Sequence, residues 1–259
     1  MKKIYTFLLI TLLLFGCKNI HKKENEIIVG ATPIPHAEIL EFIKPILKQE
    51  GYELKIIPYT DYVTPNIALQ DGSIDANFFQ HLPYLEKTNQ DRGFDLISIG
   101  SIHIEPLSIY SNKIHNLNEL KEKDIVAIPN DPSNLARALI LLHHQGLITL
   151  KDPSNLNSTQ QDIVKNPKKL VIKPLEAGLL AKILNDVTIA VINGNYALQA
   201  HLNNPIAQEG KESPYANILA IKKGNENLPK IKALINALQN EKTKHFILEK
   251  YQGAIIPVF

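Results

Sequence analysis

Phe78, Phe79, His81 and Tyr84 crowd into the stretch Asp75-Ala76-Asn77-Phe78-Phe79-Gln80-His81-Leu82-Pro83-Tyr84. The chain has 8 Phe, 9 Tyr and no Trp, so this is a local concentration of aromatic surface. Mixed with amides and an imidazole, it reads either as core or as one wall of a pocket for an apolar group. A second chemically loaded position is Arg137, set among Leu135, Ala136, Ala138, Leu139, Ile140, Leu141 and Leu142. A guanidinium in such surroundings must be paired, because an unpaired buried charge costs several kcal/mol. Its planar fork suits a carboxylate. That carboxylate belongs either to a ligand or to a structural partner such as Asp131. Arg92, the other arginine, sits beside Asp91 and Gly93 and reads as surface.

The elements that position these groups alternate between strand and helix. Glu26–Ala31, Leu54–Ile57 and Ile74–Phe79 read as short strands. His36–Glu50, Asp61–Asp71 and Pro83–Arg92 read as helices, with Gly51 and Gly72 closing the first two. After an extended segment from Asp95 to Ser111, interrupted at Pro106, the pattern restarts. Ile125–Ile128, Leu170–Ile172 and Ile189–Ile192 are strands. The helices of this set are Pro132–Gln145, capped by Asp131, then Leu175–Leu184 and Tyr196–Leu202. Ile218–Lys222 is extended, and helices at Leu228–Leu238 and Thr243–Tyr251 finish the chain.

Such alternation predicts an α/β protein with mostly parallel sheets flanked by helices. Two successive sets predict two lobes, 26–108 with 215–259 and 109–214, joined by two extended crossings around a cleft that can hinge. Ligand groups in such sheets collect after the C-terminal ends of strands. Here those positions hold His36, Tyr59, Tyr62, Phe79 and His81 in one lobe. In the other they hold Asn130, Asn134, Asn193 and Asn195. One lobe thus offers aromatics and histidine, the other amides, which suits a ligand with one apolar and one polar end. Phe78 and Phe79 alternate along their strand, so one should pack inward and the other, assigned as Phe79, should face the cleft.

Two other chemistries are weaker. A metal site could draw on His36, His81 and His103, but no H-E-x-x-H spacing is present, and the adjacent His143 and His144 point to different faces of one helix. Asp61, Asp75 and His81 could form an acid/base set, but no G-x-S-x-G or phosphate loop accompanies them. Asp61 is more simply a helix cap and Asp75 a turn residue. No enzyme, metal or cofactor is therefore expected.

Composition sets the remaining bounds. The chain has 259 residues, 44% hydrophobic and 21% charged, an ordinary globular balance. It carries 28 basic and 26 acidic residues, and without Lys2 and Lys3 the two signs are equal. That neutrality leaves no electrostatic footprint for nucleic acid. Residues 1–16 read as a secretory signal. Lys2 and Lys3 precede an apolar run from Ile4 to Phe15, shorter than the about 20 residues a bilayer span needs. The run ends at Leu14-Phe15-Gly16-Cys17, and Cys17 is the sole cysteine. This is similar to a bacterial lipobox, with Cys17 as the lipidated residue (palmitate among its acyl groups) and 17–25 as a tether. Phe15 is larger than the usual small residue there. The expected location is the cell membrane, lipid-anchored, facing the periplasm or exterior.

Several long motifs carry a family resemblance. VGATPIPHAEIL, DYVTPNIALQDGSIDANFFQHLPYL, Val126-Ala127-Ile128-Pro129-Asn130-Asp131-Pro132-Ser133-Asn134, AVINGNYAL and SPYAN resemble the methionine-binding lipoproteins of ABC importers, the NlpA/MetQ family. The likeness runs from about Glu26 to Phe259. It implies a two-lobed periplasmic-binding-protein fold, L-methionine as ligand, and permease and ATPase subunits as partners. It also implies roles at matching positions. Arg137 would bind the ligand carboxylate, and Asn193 and Asn217 the amino-acid head group. Tyr62, Phe79, His81 and Tyr84 would line the side-chain pocket. Phe78, Asn195 and Tyr215 lie in matching motifs without an assigned contact. Another apolar amino acid or a methionine-containing dipeptide would fit the same fold.

Overall fold

The computed structural model describes residues 24–210 and 213–259. The signal, Cys17 and most of the tether lie outside the described residues. Among the described residues no helix is long and apolar enough to cross a membrane.

The first half runs β1 (Glu26–Ala31), α1 (Glu38–Gln49), β2 (Glu53–Pro58), α2 (Thr64–Gln70), β3 (Ala76–His81), α3 (Leu82–Arg92) and β4 (Leu96–Ile104). The second runs β5 (Ser108–Tyr110), β6 (Ile125–Pro129), α4 (Pro132–His144), β7 (Thr149–Leu150), β8 (Ile163–Lys165), β9 (Val171–Leu175), β10 (Ile189–Ile192), α5 (Gly194–Gln199) and β11 (Ala207–Gln208). The chain then returns through β12 (Ala216–Lys222), α6 (Pro229–Leu238), α7 (Glu241–Tyr251) and β13 (Ile256–Pro257).

Among the described residues the main sheets are β13-β4-β12-β3-β1-β2 and β11-β5-β10-β6-β9. Parallel pairs, β2-β1-β3 and β10-β6-β9, make one side of each sheet. The crossing and returning strands β4, β5, β11, β12 and β13 extend them antiparallel. Helices cover both faces. In the first sheet α1, α6 and α7 pack Leu40, Ile43, Leu234 and Ile247 against Ile27, Val29 and Phe78. On the other face Leu69 and Leu85 meet Ile28 and Ile218. In the second sheet α4 places Leu139 and Leu142 on Val126, Ile128 and Val191.

One expected helix is absent. Leu175–Leu184 has helical apolar spacing, and Ala177, Leu180 and Leu184 do bury together. The backbone instead makes a short 3-10 turn at Ala177–Leu179 followed by further turns. Their bonds include Leu180 N–H to Ala177 O, Lys182 N–H to Leu179 O and Asp186 N–H to Ile183 O, an i to i−3 pattern. A tight 3-10 coil brings residues three apart onto one face, so it reproduces the spacing that predicts an α-helix.

Two segments link the sheets: 105–107 between β4 and β5, and 209–215 between β11 and β12. The extended stretch Ile218–Lys222 lies within strand β12, hydrogen-bonded between β3 and β4, so the second crossing precedes it.

Candidate ligand-binding cleft

A cavity lies between the sheets. It is lined by Tyr62, Phe79, His81 and Tyr84 from the first lobe and Asn134, Arg137, Asn193 and Asn195 from the second, with Asn217 on β12 and Glu105 at the first crossing. All seven residues singled out for ligand contact in the sequence line it. Glu105 was not among them, and neither was Glu209, which supports the cleft from the second crossing.

The aromatic wall depends on an irregularity in β3. His81 pairs with Asn217, Gln80 with Ile218 and Phe78 with Leu219, so Phe79 has no partner on β12. This is a β-bulge, a device that re-aims a side chain and strengthens local twist. Phe78 packs fully buried among the core side chains, while Phe79 faces the cavity. Around Phe79 stand Tyr62 at 5.9 Å and Tyr84 at 5.9 Å between ring centroids. Tyr196 of the other lobe lies 5.1 Å from Tyr62. Edge-to-face and tilted arrangements at these distances are favourable aromatic pairs.

Buried amides lock the loop that carries Tyr62. Asn66 Nδ2 donates to Gln80 Oε1 (2.9 Å), and Gln80 Nε2 donates to Asn66 Oδ1 (2.7 Å) and Asn77 Oδ1 (2.9 Å). Asn77 Nδ2 donates to Asn66 Oδ1 (2.8 Å) and Pro65 O (3.2 Å). The start of α2 is thereby tied to β3. Asp61 accepts from Val63 N–H and Thr64 N–H, the capping role expected of it.

Asn217 stands opposite His81 on β3 and opposite His103 on β4, and its Oδ1 lies 3.1 Å from His36 Nε2. His81 Nε2 lies 3.1 Å from Asn134 Oδ1 across the cleft, and its Nδ1 accepts from Tyr84 N–H. Burial, with the Arg137 charge adding to it, pushes the His81 imidazole down to about 3, so the ring is neutral near pH 7. Burial likewise takes His36 down to about 4, against the opposing pull of Glu105.

Arg137 is paired within the protein. Its Nε donates to Glu209 Oε1 (2.8 Å), its Nη2 to Glu209 Oε2 (2.6 Å) and to Glu105 O (2.9 Å). Tyr215 lies under the guanidinium, 4.4 Å from Cζ to ring centroid. Asp131, the partner considered from sequence, instead caps α4 by accepting from Asn134 N–H. One edge of Arg137 is thus taken by Glu209, and among the described residues Nη1 makes no hydrogen bond.

Three groups could hold a metal. The ligating atoms of His36, His103 and Glu105 lie within 4.8 Å of one another. His103 Nε2 hydrogen-bonds Glu105 Oε1 at 2.7 Å, and His36 Nε2, bonded to Asn217, lies 3.3 Å from the same oxygen, so contacts within the protein already account for this approach. His81 is engaged elsewhere and does not join them.

Two mixed sheets joined by two crossings, with a cavity lined from both, define the two-lobed periplasmic-binding-protein fold. The chain belongs to the NlpA lipoprotein family, whose sequence profile matches residues 27–259. A Bacillus subtilis relative named methionine-binding lipoprotein MetQ is 42% identical over 243 residues, 91% of this chain and 89% of that one. The structure of a nutrient-binding protein from Burkholderia cenocepacia bound to methionine superposes with a TM-score of 0.87 at 41% identity, over 90% of this chain and 100% of that one. An ABC transporter periplasmic substrate-binding protein from Coxiella burnetii gives 0.85 at 42% identity, over 90% and 100%.

Proposed function

We propose that this protein is a lipid-anchored, extracytoplasmic solute-binding protein that captures methionine and delivers it to the permease and ATPase subunits of an ABC importer. The supporting observation is a single small cavity with aromatic rings on one side and amides and a guanidinium on the other. A thioether is apolar and polarizable and gains about 0.3–1.5 kcal/mol from each aromatic contact. Tyr62, Phe79 and Tyr84 are the rings we assign to it. Arg137, through Nη1 and its charge, is the group we assign to the ligand carboxylate, with Asn193 and Asn217 beside the head group. His81, neutral, would serve as a polar wall.

The lobes are taken as 26–108 with 215–259, and 109–214, closing by hinge motion at the crossings. Cys17 is taken as the lipidated residue after removal of 1–16. Relatives named for methionine binding and ABC transport support this reading, and the site has no catalytic assignment in it. A dipeptide is the second candidate. The walls already meet across the cleft, Tyr62 with Asn195 and His81 with Asn134, which favours the smaller ligand, a single amino acid.

Isothermal titration of ligand-stripped protein with both methionine enantiomers, leucine and methionyl dipeptides tests the proposal. Saturable heat with a methionine enantiomer, and weaker or no heat with leucine and dipeptides, is expected. No heat and no thermal shift with any form of methionine would overturn it.

A further inference from the structure

We propose that Glu105 is the counter-charge for the α-ammonium group of the ligand, and that His36 and His103 are positioning residues that orient its carboxylate. This rests on the reading that the cleft takes an α-amino acid, and it adds a residue to which that reading gave no role.

Glu105 is 5% exposed and lines the cavity. Its two carboxylate oxygens have different surroundings. Oε1 faces His103 Nε2 at 2.7 Å and His36 Nε2 at 3.3 Å. His103 Nδ1 is buried without a partner, which suits a bare lone pair and puts the ring proton on Nε2, donating to Oε1. His36 is held from behind by Thr32, whose Oγ1 is 2.7 Å from Nδ1, and its ring packs edge-on against Phe78 at 4.6 Å. One oxygen is therefore fixed from the first lobe.

Oε2 is on the other side, against Gly194. A Cβ at position 194 would stand 2.8 Å from Glu105 Cβ and 3.2 Å from Oε2, so glycine is what permits this approach. The residue before it, Asn193, is 6% exposed, and its Oδ1 is buried with no hydrogen-bond partner. A buried acceptor left unpaired costs free energy that a donor would recover. An anionic oxygen and an orphaned amide oxygen lining one cavity ask for a cation with several N–H donors, which is what an ammonium supplies. Arg137, whose Nη1 makes no hydrogen bond among the described residues, supplies the opposite charge in the same cavity. Positive and negative groups placed apart in one small cavity select a zwitterion over a simple anion or cation.

The charged and titratable groups facing Glu105 are His36 from the segment before α1, His103 from β4 and Arg137 from α4, and its charge also reaches Tyr62, His81 of β3 and Tyr251 of α7. Burial alone would raise the Glu105 carboxyl. His36, His103 and Arg137 outweigh it and hold the group below the usual carboxylate range.

The test compares methionine with its deaminated analogue, 4-(methylthio)butanoate, which keeps the thioether and carboxylate. Wild-type protein should prefer methionine by about 100-fold, the scale of a lost partner in a desolvated charge pair. Glu105→Gln should lower methionine affinity about 100-fold and leave the analogue unchanged or tighter. His103→Phe should weaken methionine alone and move the acid limb of its binding to higher pH. Equal losses for both ligands in Glu105→Gln, or no loss for either, would overturn the proposal. If that variant does not fold, the wild type decides. At pH 7 it should prefer methionine over 2-hydroxy-4-(methylthio)butanoate, whose hydroxyl replaces the ammonium, by about 100-fold, and equal affinity for the two overturns the role. A wild type that ignores methionine but binds another α-amino acid through Glu105 would sink the methionine reading and keep this one. Binding of no α-amino acid would sink both.

Discussion

Arg137 grips Glu209 through two nearly parallel bonds, Nε to Oε1 and Nη2 to Oε2, across 72 positions of sequence. The pair is mostly buried, with the side chains 3% and 14% exposed. The same Nη2 reaches Glu105 O, and Leu107 N–H donates to Glu209 Oε2 at 3.1 Å. One guanidinium therefore fastens both crossings between the lobes. Were Arg137 only a ligand group, Arg137→Ala would abolish binding and spare the fold. The pairing with Glu209 revises this, because removal of either partner leaves a charge buried.

Glu209→Ala should therefore lower unfolding stability by about 3 kcal/mol, the cost of orphaning one member of a buried pair. Arg137→Ala should lose ligand affinity and a similar amount of stability together. Urea denaturation monitored by circular dichroism measures both, and an unmoved midpoint in Glu209→Ala would remove the clamp.

Phe79→Ala should weaken methionine binding about tenfold, since a thioether–aromatic contact reaches about 1.5 kcal/mol and 1.4 kcal/mol is a factor of ten. Phe78→Ala should instead destabilise the fold by about 3–5 kcal/mol, as large-to-small changes in a packed core do. Calorimetric titration and thermal melts on the two variants separate the roles. Identical behaviour would contradict the division made by the bulge.

Asn77→Ala removes a donor and an acceptor from the buried amide network and strands parts of Asn66 and Gln80. The expected loss is about 1–3 kcal/mol, and the Tyr62 loop should show faster amide exchange. Hydrogen-exchange mass spectrometry over residues 59–70 checks this.

Strand ends, where such sheets collect ligand groups, made Phe79, His81 and Asn193 legible, whereas Asn217 followed only from the SPYAN motif and the family resemblance it carries. Arg137 was legible through its apolar neighbours. Glu105 and Glu209 were not, since each sits in a crossing without periodicity and acts through partners distant in sequence. The bulge at Phe79 was equally hidden, because it exists only in the register with β12. The 3-10 coil after Leu175 was misread because three-residue spacing is common to both kinds of helix.

Acid should destabilise the protein in a defined direction. His36 and His81 sit below their ordinary value near 6.5, at about 4 and about 3. Between those values and about 6.5 the unfolded chain binds more protons than the folded one, so stability falls as pH drops through that window. Glu105, held low, adds a loss of the same sign below the ordinary carboxylate range. A melting temperature that stays flat from pH 6.5 to pH 4 would contradict the buried neutral histidines, and His81→Gln should reduce the slope.

Cys17→Ser should release the protein from membranes into the soluble fraction. Stable anchoring needs more than one acyl chain, so metabolic labelling with palmitate should also disappear. A variant that still sediments with membranes refutes the anchor at this residue.

Hydrogen bonds also run directly between the walls of the cleft. Tyr62 Oη donates to Asn195 Oδ1 (2.5 Å), Tyr196 Oη to Thr60 O (3.0 Å), and His81 Nε2 lies 3.1 Å from Asn134 Oδ1. None of these involves the groups assigned to the ligand head. Separating the walls breaks all three at once, whatever lies between them, and such a toll falls on the rate of opening. How long a captured molecule stays is then set partly by the protein's own seam, so variants such as Tyr62→Phe should shorten the dwell time by more than they slow capture.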